Sequence, residues 1–203
     1  MLNRFARAFA TRLLTPLARL FLKLGISPDI VTITGTLGVC FGALVFYPRH
    51  LFFWGSLIAA VFATFDSLDG VMARLSDRSS KWGAYLDSTL DRVADSAIFG
   101  GLVLWYSGGG NTPYLAALAL ACLILGSVVS YAKARAEGLG MTANVGIAER
   151  AERVIVVLLA TGLVGLGAPE ALLTVVLALL ALASLITVIQ RMLEVRRQAF
   201  TTA

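Results

Sequence analysis

Six long apolar runs follow one another along the chain, separated by short segments that are rich in glycine, proline or charge. Each run is close to the roughly 20 residues that an α-helix needs to cross a hydrocarbon core. The pattern predicts six transmembrane helices, at about 30–47, 51–74, 84–106, 112–134, 150–167 and 171–193. We therefore expect an all-α, polytopic membrane protein.

The segment 2–24 has a different pattern, because apolar and basic residues recur there at a helical period and no acidic residue is present. Such a segment is typical of an amphipathic helix that lies in the lipid headgroup plane. A helix packed on the cytoplasmic face of the protein fits the pattern equally well. We expect an amphipathic juxtamembrane helix over residues 1–25 and one transmembrane domain over residues 26–203.

Composition supports this interpretation. The chain has 203 residues, of which 58% are hydrophobic and 14% charged, whereas soluble domains carry about 25% charged residues. The net charge of +5 raises the question of a nucleic-acid partner. We expect none, because the basic residues fall in short segments between apolar spans, which is the usual pattern of membrane orientation.

Basic residues also predict the orientation. They occur in the N-terminal segment, after the second and fourth spans and at the C-terminus, whereas the opposite side carries only Arg49. Because positive residues are retained in the cytoplasm, we expect both termini on the cytoplasmic side.

Four aspartates lie at the ends of the second and third spans, namely Asp66, Asp69, Asp87 and Asp91. Their spacings of three and four residues place each pair on one helix face. Unpaired carboxylates at a membrane edge are costly, and the nearby arginines are too few to neutralise all four. We therefore predict one or two divalent ions. Oxygen ligands without His or Cys favour Mg²⁺ or Mn²⁺ over zinc.

Residues around the aspartates suit a phosphate-containing ligand. Gly70 and Gly83 remove side chains where a ligand must approach closely, and Ala73 keeps the same face open. Arg74 can hold a phosphate or orient a carboxylate. Asp95 lies one turn beyond Asp91, where it either supports the metal ligands or pairs with Arg92.

The whole run reads Asp66-x-x-Asp69-Gly70-x-x-Ala73-Arg74, eight residues, Gly83-x-x-x-Asp87-x-x-x-Asp91. It resembles, without a departure, the signature of the CDP-alcohol phosphatidyltransferase family. The resemblance implies an Mg²⁺-dependent transferase with two ions, Mn²⁺ being an alternative, that releases CMP. It also implies a homodimer in a bacterial plasma membrane, with its active site facing the cytoplasm.

The same resemblance implies roles for individual residues. Asp66, Asp69, Asp87 and Asp91 would bind metal, and Asp91 would also act as the base on the attacking hydroxyl. The residues implied to bind CDP-diacylglycerol are Asp29, Ile30, Val31, Thr32, Gly70, Ala73, Arg74, Ser80 and Gly83.

The alcohol acceptor is predicted from the second half of the chain. Lys133, Arg135, Arg153 and Arg191 lie near the cytoplasmic boundary, and topology alone explains some of them. A cationic pocket at the level of the aspartates suits an acceptor that carries a phosphate. The stretch SYAKARAEGLG…NVGIAERAER resembles actinobacterial family members that join CDP-diacylglycerol to inositol 1-phosphate. The alternative is a phosphatidylglycerophosphate synthase that uses glycerol 3-phosphate.

A cation transporter or channel is the alternative from another class, because acidic residues within membranes also mark ion pathways. Against it, the acidic residues of the motif cluster at one membrane face and no chain of polar residues continues outward.

Overall fold

The structure is a computed structural model that describes residues 14–76, 80–147 and 149–201, and all regular structure in these ranges is helical. The all-α prediction is thus confirmed for the described chain. The helices are α1 (14–23), α2 (Pro28–Phe41), α3 (Phe52–Leu75), α4 (Lys81–Ser107), α5 (Pro113–Gly138), α6 (Arg150–Gly165) and α7 (Glu170–Thr201).

The predicted amphipathic segment is described only in part, since residues 1–13 lie outside the described ranges. In α1, Ala18 is fully buried in a small core with residues of α2 and α3, such as Val31 and Leu68. Leu20 and Leu24 of the same segment are exposed. The described part therefore packs on the protein and also presents apolar side chains outward, and its place in the headgroup plane stays a prediction.

Local sequence explains how α2 begins and ends. Ser27 is its N-cap and accepts a hydrogen bond of 3.3 Å from the Ile30 amide, while Pro28 occupies the first turn. Beyond Phe41 the helix continues as a π-helical turn, Gly42–Phe46, and a 3₁₀ turn, Tyr47–Arg49. The predicted span 30–47 is therefore α-helical up to Phe41 and changes to π and 3₁₀ geometry at its C-terminal end, where Pro48 follows.

The bundle places the functional ends of its helices together. α2 packs on α3 and α4, α3 packs on α6, and α5 packs on α4 and α7. Ion pairs join Arg150, the first residue of α6, to Asp66 in the second half of α3 and to Asp91 in the first half of α4. A hydrogen bond from Arg191 to the Val129 carbonyl joins the C-terminal halves of α7 and α5. The starts of α2, α4 and α6 and the ends of α3, α5 and α7 thus share one end of the bundle.

Aromatic side chains close the opposite end. His50 stacks on Trp105 with ring centroids 4.5 Å apart, and Phe52 meets both rings edge-on. Tyr47 is fully buried and its hydroxyl lies 2.9 Å from Ser56 Oγ. The aromatic residues seal the end of the core that lies away from the aspartates.

Four of the described helical segments are long and apolar enough to cross a membrane, namely Pro28–Arg49, Phe52–Leu75, Pro113–Gly138 and Glu170–Phe200. These segments indicate a membrane protein. The other two predicted spans differ for physical reasons: α6 has 16 residues, and α4 carries charged residues in its first half. The number of six spans therefore stays a prediction.

A pair of adjacent glycines in α4 tests the packing of the core. A Cβ at Gly101 would lie 2.7 Å from the Ala43 carbonyl oxygen, whereas a Cβ at Gly100 meets nothing within 4 Å. We expect Gly101→Ala to destabilise the fold by about 1–3 kcal/mol through overpacking. Thermal unfolding of the purified protein in detergent measures the effect, with Gly100→Ala as the matched control. Equal midpoints for the two variants would contradict this packing.

Candidate active site

Three carboxylates from two helices meet at the functional end of the bundle. Asp66 comes from α3, and Asp87 and Asp91 come from one face of α4. One oxygen from each lies within 4.8 Å of the others. α2 packs against both α3 and α4. The cluster consists of hard oxygen ligands, and its spacing fits a divalent ion.

Asp69, the fourth predicted metal ligand, lies beside this cluster. Its side chain is buried, and Oδ2 accepts a hydrogen bond of 2.5 Å from Thr32 Oγ1. Asp69 shares one cavity with Asp66 and Asp87. The structure thus groups three of the predicted ligands closely and holds the fourth next to them through a hydroxyl of α2.

That cavity has a volume of about 230 Å³ and is lined by most of the residues expected to bind the nucleotide. They are Asp29, Thr32, Gly70, Ala73, Ser80 and Gly83. The protein atom nearest to a Cβ would lie at 3.6 Å for Gly70 and at 3.4 Å for Gly83, so protein packing does not require glycine at either position. The absence of a side chain there instead leaves space that a ligand can occupy. The Trp82 indole donates a hydrogen bond of 3.1 Å to Asp29 and joins the starts of α4 and α2.

The other expected nucleotide residues have different surroundings. Ile30 is exposed, and Val31 is buried in the small core below α1. The nearest atom to a Cβ at Gly70 would be Arg74 Nη1, which places this guanidinium at the cavity edge. Ser80 both lines the cavity and caps α4, since its Oγ accepts a hydrogen bond of 2.9 Å from the Gly83 amide.

A second, apolar cavity of about 540 Å³ lies between α2, α3, α4 and α6. Aliphatic and aromatic side chains line most of it, from Phe53 and Leu166 inward, and Asp91 reaches its functional end. The two cavities share two lining residues, Thr32 and Asp66. The site is therefore a polar chamber and an apolar chamber that meet beside the carboxylates.

Arg150, at the start of α6, is a site residue to which the sequence pattern assigned no role, since it is one of the basic residues that follow the fourth predicted span. Its Nη1 lies 2.7 Å from Asp91 Oδ1 and 3.7 Å from Asp66 Oδ2, and its Nε donates a hydrogen bond of 3.0 Å to Asp95 Oδ1. One signal was present in the sequence: Arg150 precedes Arg153 by three residues, which places both on one face of α6.

Asp95 pairs with two arginines of α6 and not with Arg92, although pairing with Arg92 was one of the two roles considered for it. Its Oδ1 accepts the bond from Arg150, and its Oδ2 lies 3.5 Å from Arg153 Nη2. Arg92 instead reaches Asp91 Oδ2 at 3.4 Å. Of the two roles considered for Asp95, support of the site through the arginines of α6 fits this geometry.

Of the residues expected to bind the acceptor phosphate, Arg153 of α6 and Arg191 of α7 contact α5, and Lys133 and Arg135 lie on α5 itself. Arg153 is 1% exposed, and its Nη2 would lie 3.3 Å from a Cβ at Gly126. Arg191 donates hydrogen bonds to the Val129 carbonyl at 2.5 Å and to the Val145 carbonyl at 3.0 Å. Lys133 follows one turn later and lies 4.0 Å from Glu137. Arg135 is exposed on the same helix.

Comparison with known proteins identifies the family. The family model described as CDP-alcohol phosphatidyltransferase matches residues 25–189. The chain belongs to the CDP-alcohol phosphatidyltransferase family. It is 53% identical over 205 residues to the phosphatidylinositol phosphate synthase of Streptomyces avermitilis, a match that covers 98% of this chain and 84% of that protein. It is 42% identical to the enzyme of the same name from Cutibacterium acnes, with 97% and 98% coverage.

Solved structures of a family member have the same fold. The phosphatidylinositol phosphate synthase of Mycobacterium tuberculosis with CDP-DAG bound matches with a TM-score of 0.86 and 41% identity, over 91% of this chain and 94% of that chain. A second structure of that protein contains manganese and citrate and also has a TM-score of 0.86, at 41% identity over 90% and 88% of the two chains. Together with the cluster of Asp66, Asp87 and Asp91, the manganese in that structure indicates a divalent-metal site in the present chain.

The bond between Thr32 and Asp69 is open to a direct test. Substitution Thr32→Val removes the hydroxyl that orients the Asp69 carboxylate. Loss of such a supporting partner typically weakens metal binding about 10-fold or more. Electron paramagnetic resonance of Mn²⁺ titrated into the purified protein measures the change, and Thr32→Ser, which keeps the hydroxyl, is the control. Wild-type affinity in Thr32→Val would show that the hydroxyl has no such role.

Proposed function

We propose that this family member transfers the phosphatidyl group from CDP-diacylglycerol to inositol 1-phosphate, giving phosphatidylinositol phosphate and CMP. One observation carries the donor assignment: a polar cavity beside the aspartates meets a long apolar cavity at Thr32 and Asp66. A CDP-linked lipid has the same division, because its nucleotide is polar and its acyl chains are not. The curated relatives named above support the acceptor assignment.

The donor would lie across both cavities. The cytidine and its phosphates would occupy the chamber formed by the starts of α2 and α4, where Gly70 and Gly83 permit close approach. At least one acyl chain would follow the apolar chamber between α3 and α6. The diphosphate would then lie near Thr32 and Asp66, beside the carboxylate cluster.

Two Mg²⁺ ions bound by Asp66, Asp69, Asp87 and Asp91 would offset the charge of the diphosphate and of the departing CMP. In the reaction, a hydroxyl of inositol 1-phosphate attacks the phosphorus that carries diacylglycerol. The new P–O bond forms as the bond to the CMP oxygen breaks. Asp91 would accept the hydroxyl proton, since it lies where the apolar cavity meets the cluster.

The acceptor phosphate would bind between α5, α6 and α7. Arg153 and Arg191 contact α5 one turn apart, and Lys133 follows on the next turn. The shared Asp95 carboxylate links Arg153 to Arg150 and so to Asp91. A phosphate held by these cations would place the rest of the acceptor toward the base. Arg135, which is exposed, would contribute from the rim.

The membrane arrangement follows the same proposal. We infer that α4 and α6 also cross the bilayer. Leu104 of α4 and Leu159 of α6 are exposed apolar side chains, and lipid would cover them. This gives six spans in a bacterial plasma membrane, with both termini and the active site in the cytoplasm. A homodimer is the assembly that the family resemblance favours.

Glycerol 3-phosphate is the second acceptor to consider, because the same cations would hold its phosphate. A transport function is not supported, since the matching family consists of transferases.

The acceptor is tested by CMP release from purified protein with CDP-diacylglycerol and Mg²⁺. We expect turnover with inositol 1-phosphate and not with free inositol or glycerol 3-phosphate. Asp91→Asn should lower kcat by about 10²–10⁴-fold, the usual contribution of a general base. Ser127→Ala is the control, because this exposed hydroxyl of α5 bonds only its own helix at Leu123. Turnover with glycerol 3-phosphate alone would reject the inositol assignment and retain the donor assignment.

The nucleotide chamber is tested by adding a methyl group to it. Gly70→Ala and Gly83→Ala should fold normally, because the added Cβ would lie at least 3.4 Å from every protein atom outside its own backbone surroundings, which is an ordinary van der Waals distance. The added group would occupy ligand space and should raise the KM for CDP-diacylglycerol by about 10-fold, as one misplaced contact typically does. Gly100→Ala, remote from the chamber, is the matched control. Unchanged KM values would place the nucleotide elsewhere.

A further inference from the structure

Three carboxylates in the site share one guanidinium. Arg150 Nη1 lies between Asp91 and Asp66, at 2.7 Å and 3.7 Å, while its Nε bonds to Asp95 at 3.0 Å. The side chain is 23% exposed, so these contacts lie largely out of water. Because the guanidinium is planar, its Nε and Nη1 fix the directions of the Asp95 and Asp91 carboxylates relative to each other. A lysine ammonium at the same place would supply the charge without this geometry.

The two oxygens of Asp91 are held unequally. Oδ1 is bound by Arg150 at 2.7 Å, and Oδ2 lies 3.4 Å from Arg92, whose side chain is more exposed at 33%. Arg150 is therefore the stronger determinant of how the Asp91 carboxylate points. Arg92 is a neighbour in sequence and contacts the same carboxylate from its other side.

Asp95 anchors Arg150 from behind. Its side chain is 9% exposed, and its two oxygens are divided between Arg150 and Arg153. Without this carboxylate, two guanidinium groups on one face of α6 would lie close together with less compensation. Asp95 thus keeps Arg150 directed at Asp91.

We propose that Arg150 is a positioning residue for Asp91, held in place by Asp95, and that its charge also lowers the affinity of the cluster for divalent cations. The inference rests on the proposed role of Asp91 as the base. Positioning matters because a displacement of about 1 Å in a reacting group can cost about 100-fold in rate. The charge matters because a cation bound by Asp66 and Asp91 would lie close to Nη1.

The test uses Arg150→Gln and Arg150→Lys in the full-length enzyme, with two independent measurements. For Arg150→Gln we expect kcat to fall about 100-fold, because Asp91 loses its fixed direction, while the KM for CDP-diacylglycerol changes little. Mn²⁺ titration followed by electron paramagnetic resonance should show binding about fivefold tighter, since one unit of nearby positive charge is removed. Arg150→Lys should restore the wild-type Mn²⁺ affinity and leave kcat low.

Arg92→Gln is the matched control, because it removes the same charge from the other oxygen of Asp91 across a longer contact. Its kcat should fall clearly less than that of Arg150→Gln. Asp95→Asn should lower kcat as Arg150→Gln does. The double variant Arg150→Gln/Asp95→Asn should have a kcat no lower than that of the slower single variant, because both substitutions remove the same orientation of the Asp91 carboxylate.

Several results would overturn the inference. They are wild-type kcat in Arg150→Gln, full recovery of kcat in Arg150→Lys, Mn²⁺ binding that weakens in Arg150→Gln, or an equal loss in Arg92→Gln. Failure of the proposed function is distinguishable, since Asp91→Asn would then retain activity. The Mn²⁺ titration needs no turnover and judges the charge effect of Arg150 in either case.

Discussion

Carboxylates inside an apolar helix bundle require partners, and this requirement organises the functional end of the molecule. Asp69 receives a hydroxyl from α2, Asp91 receives guanidinium groups from α4 and α6, and Asp95 receives two from α6. Each partner comes from a helix that must therefore begin at this end of the bundle. Among the cations of the described chain, Asp66 has only the longer 3.7 Å contact with Arg150, so most of the negative charge at Asp66 and Asp87 is left for a divalent cation and a ligand to offset.

Local sequence was sufficient for the features that depend on helical period. The spacing within each aspartate pair predicts that both side chains share one helix face. In the structure, carboxylate oxygens of Asp66, Asp87 and Asp91 lie within 4.8 Å of one another, and Asp69 lies beside them. The start of α2 also depends on groups within one turn, since Ser27 caps the helix and Pro28 occupies its first turn. Gly70 and Gly83 were predicted to leave space, and a cavity lies against both.

Features that depend on packing between distant segments were not accessible in the same way. Arg150 lies more than fifty residues from Asp91, and its one local signal, a place on the same helix face as Arg153, does not indicate Asp91 as its partner. Of the two roles considered for Asp95, the sequence could not choose for the same reason, since Arg92 is close in sequence while Arg150 is close in space. Within the expected nucleotide residues, Val31 faces the small core because a helix cannot direct consecutive side chains to one cavity.

In α4, the charged residues of the site lower the hydropathy by which a membrane span is recognised. α4 carries Asp87 and Asp91 in its first half and Asp95 just past its midpoint, and these residues lower the apolar character that identifies a span. In the proposed six-span arrangement a membrane would tolerate them because they face the cluster and the arginines of α6, whereas exposed residues such as Val93 and Leu104 are apolar. A helix of this kind can be recognised as a span only when its polar face has been assigned to a site. The charges that make α4 ambiguous in a hydropathy profile are therefore the same charges that, in the proposed function, hold the metal ions and supply the base where a water-soluble acceptor meets a lipid donor.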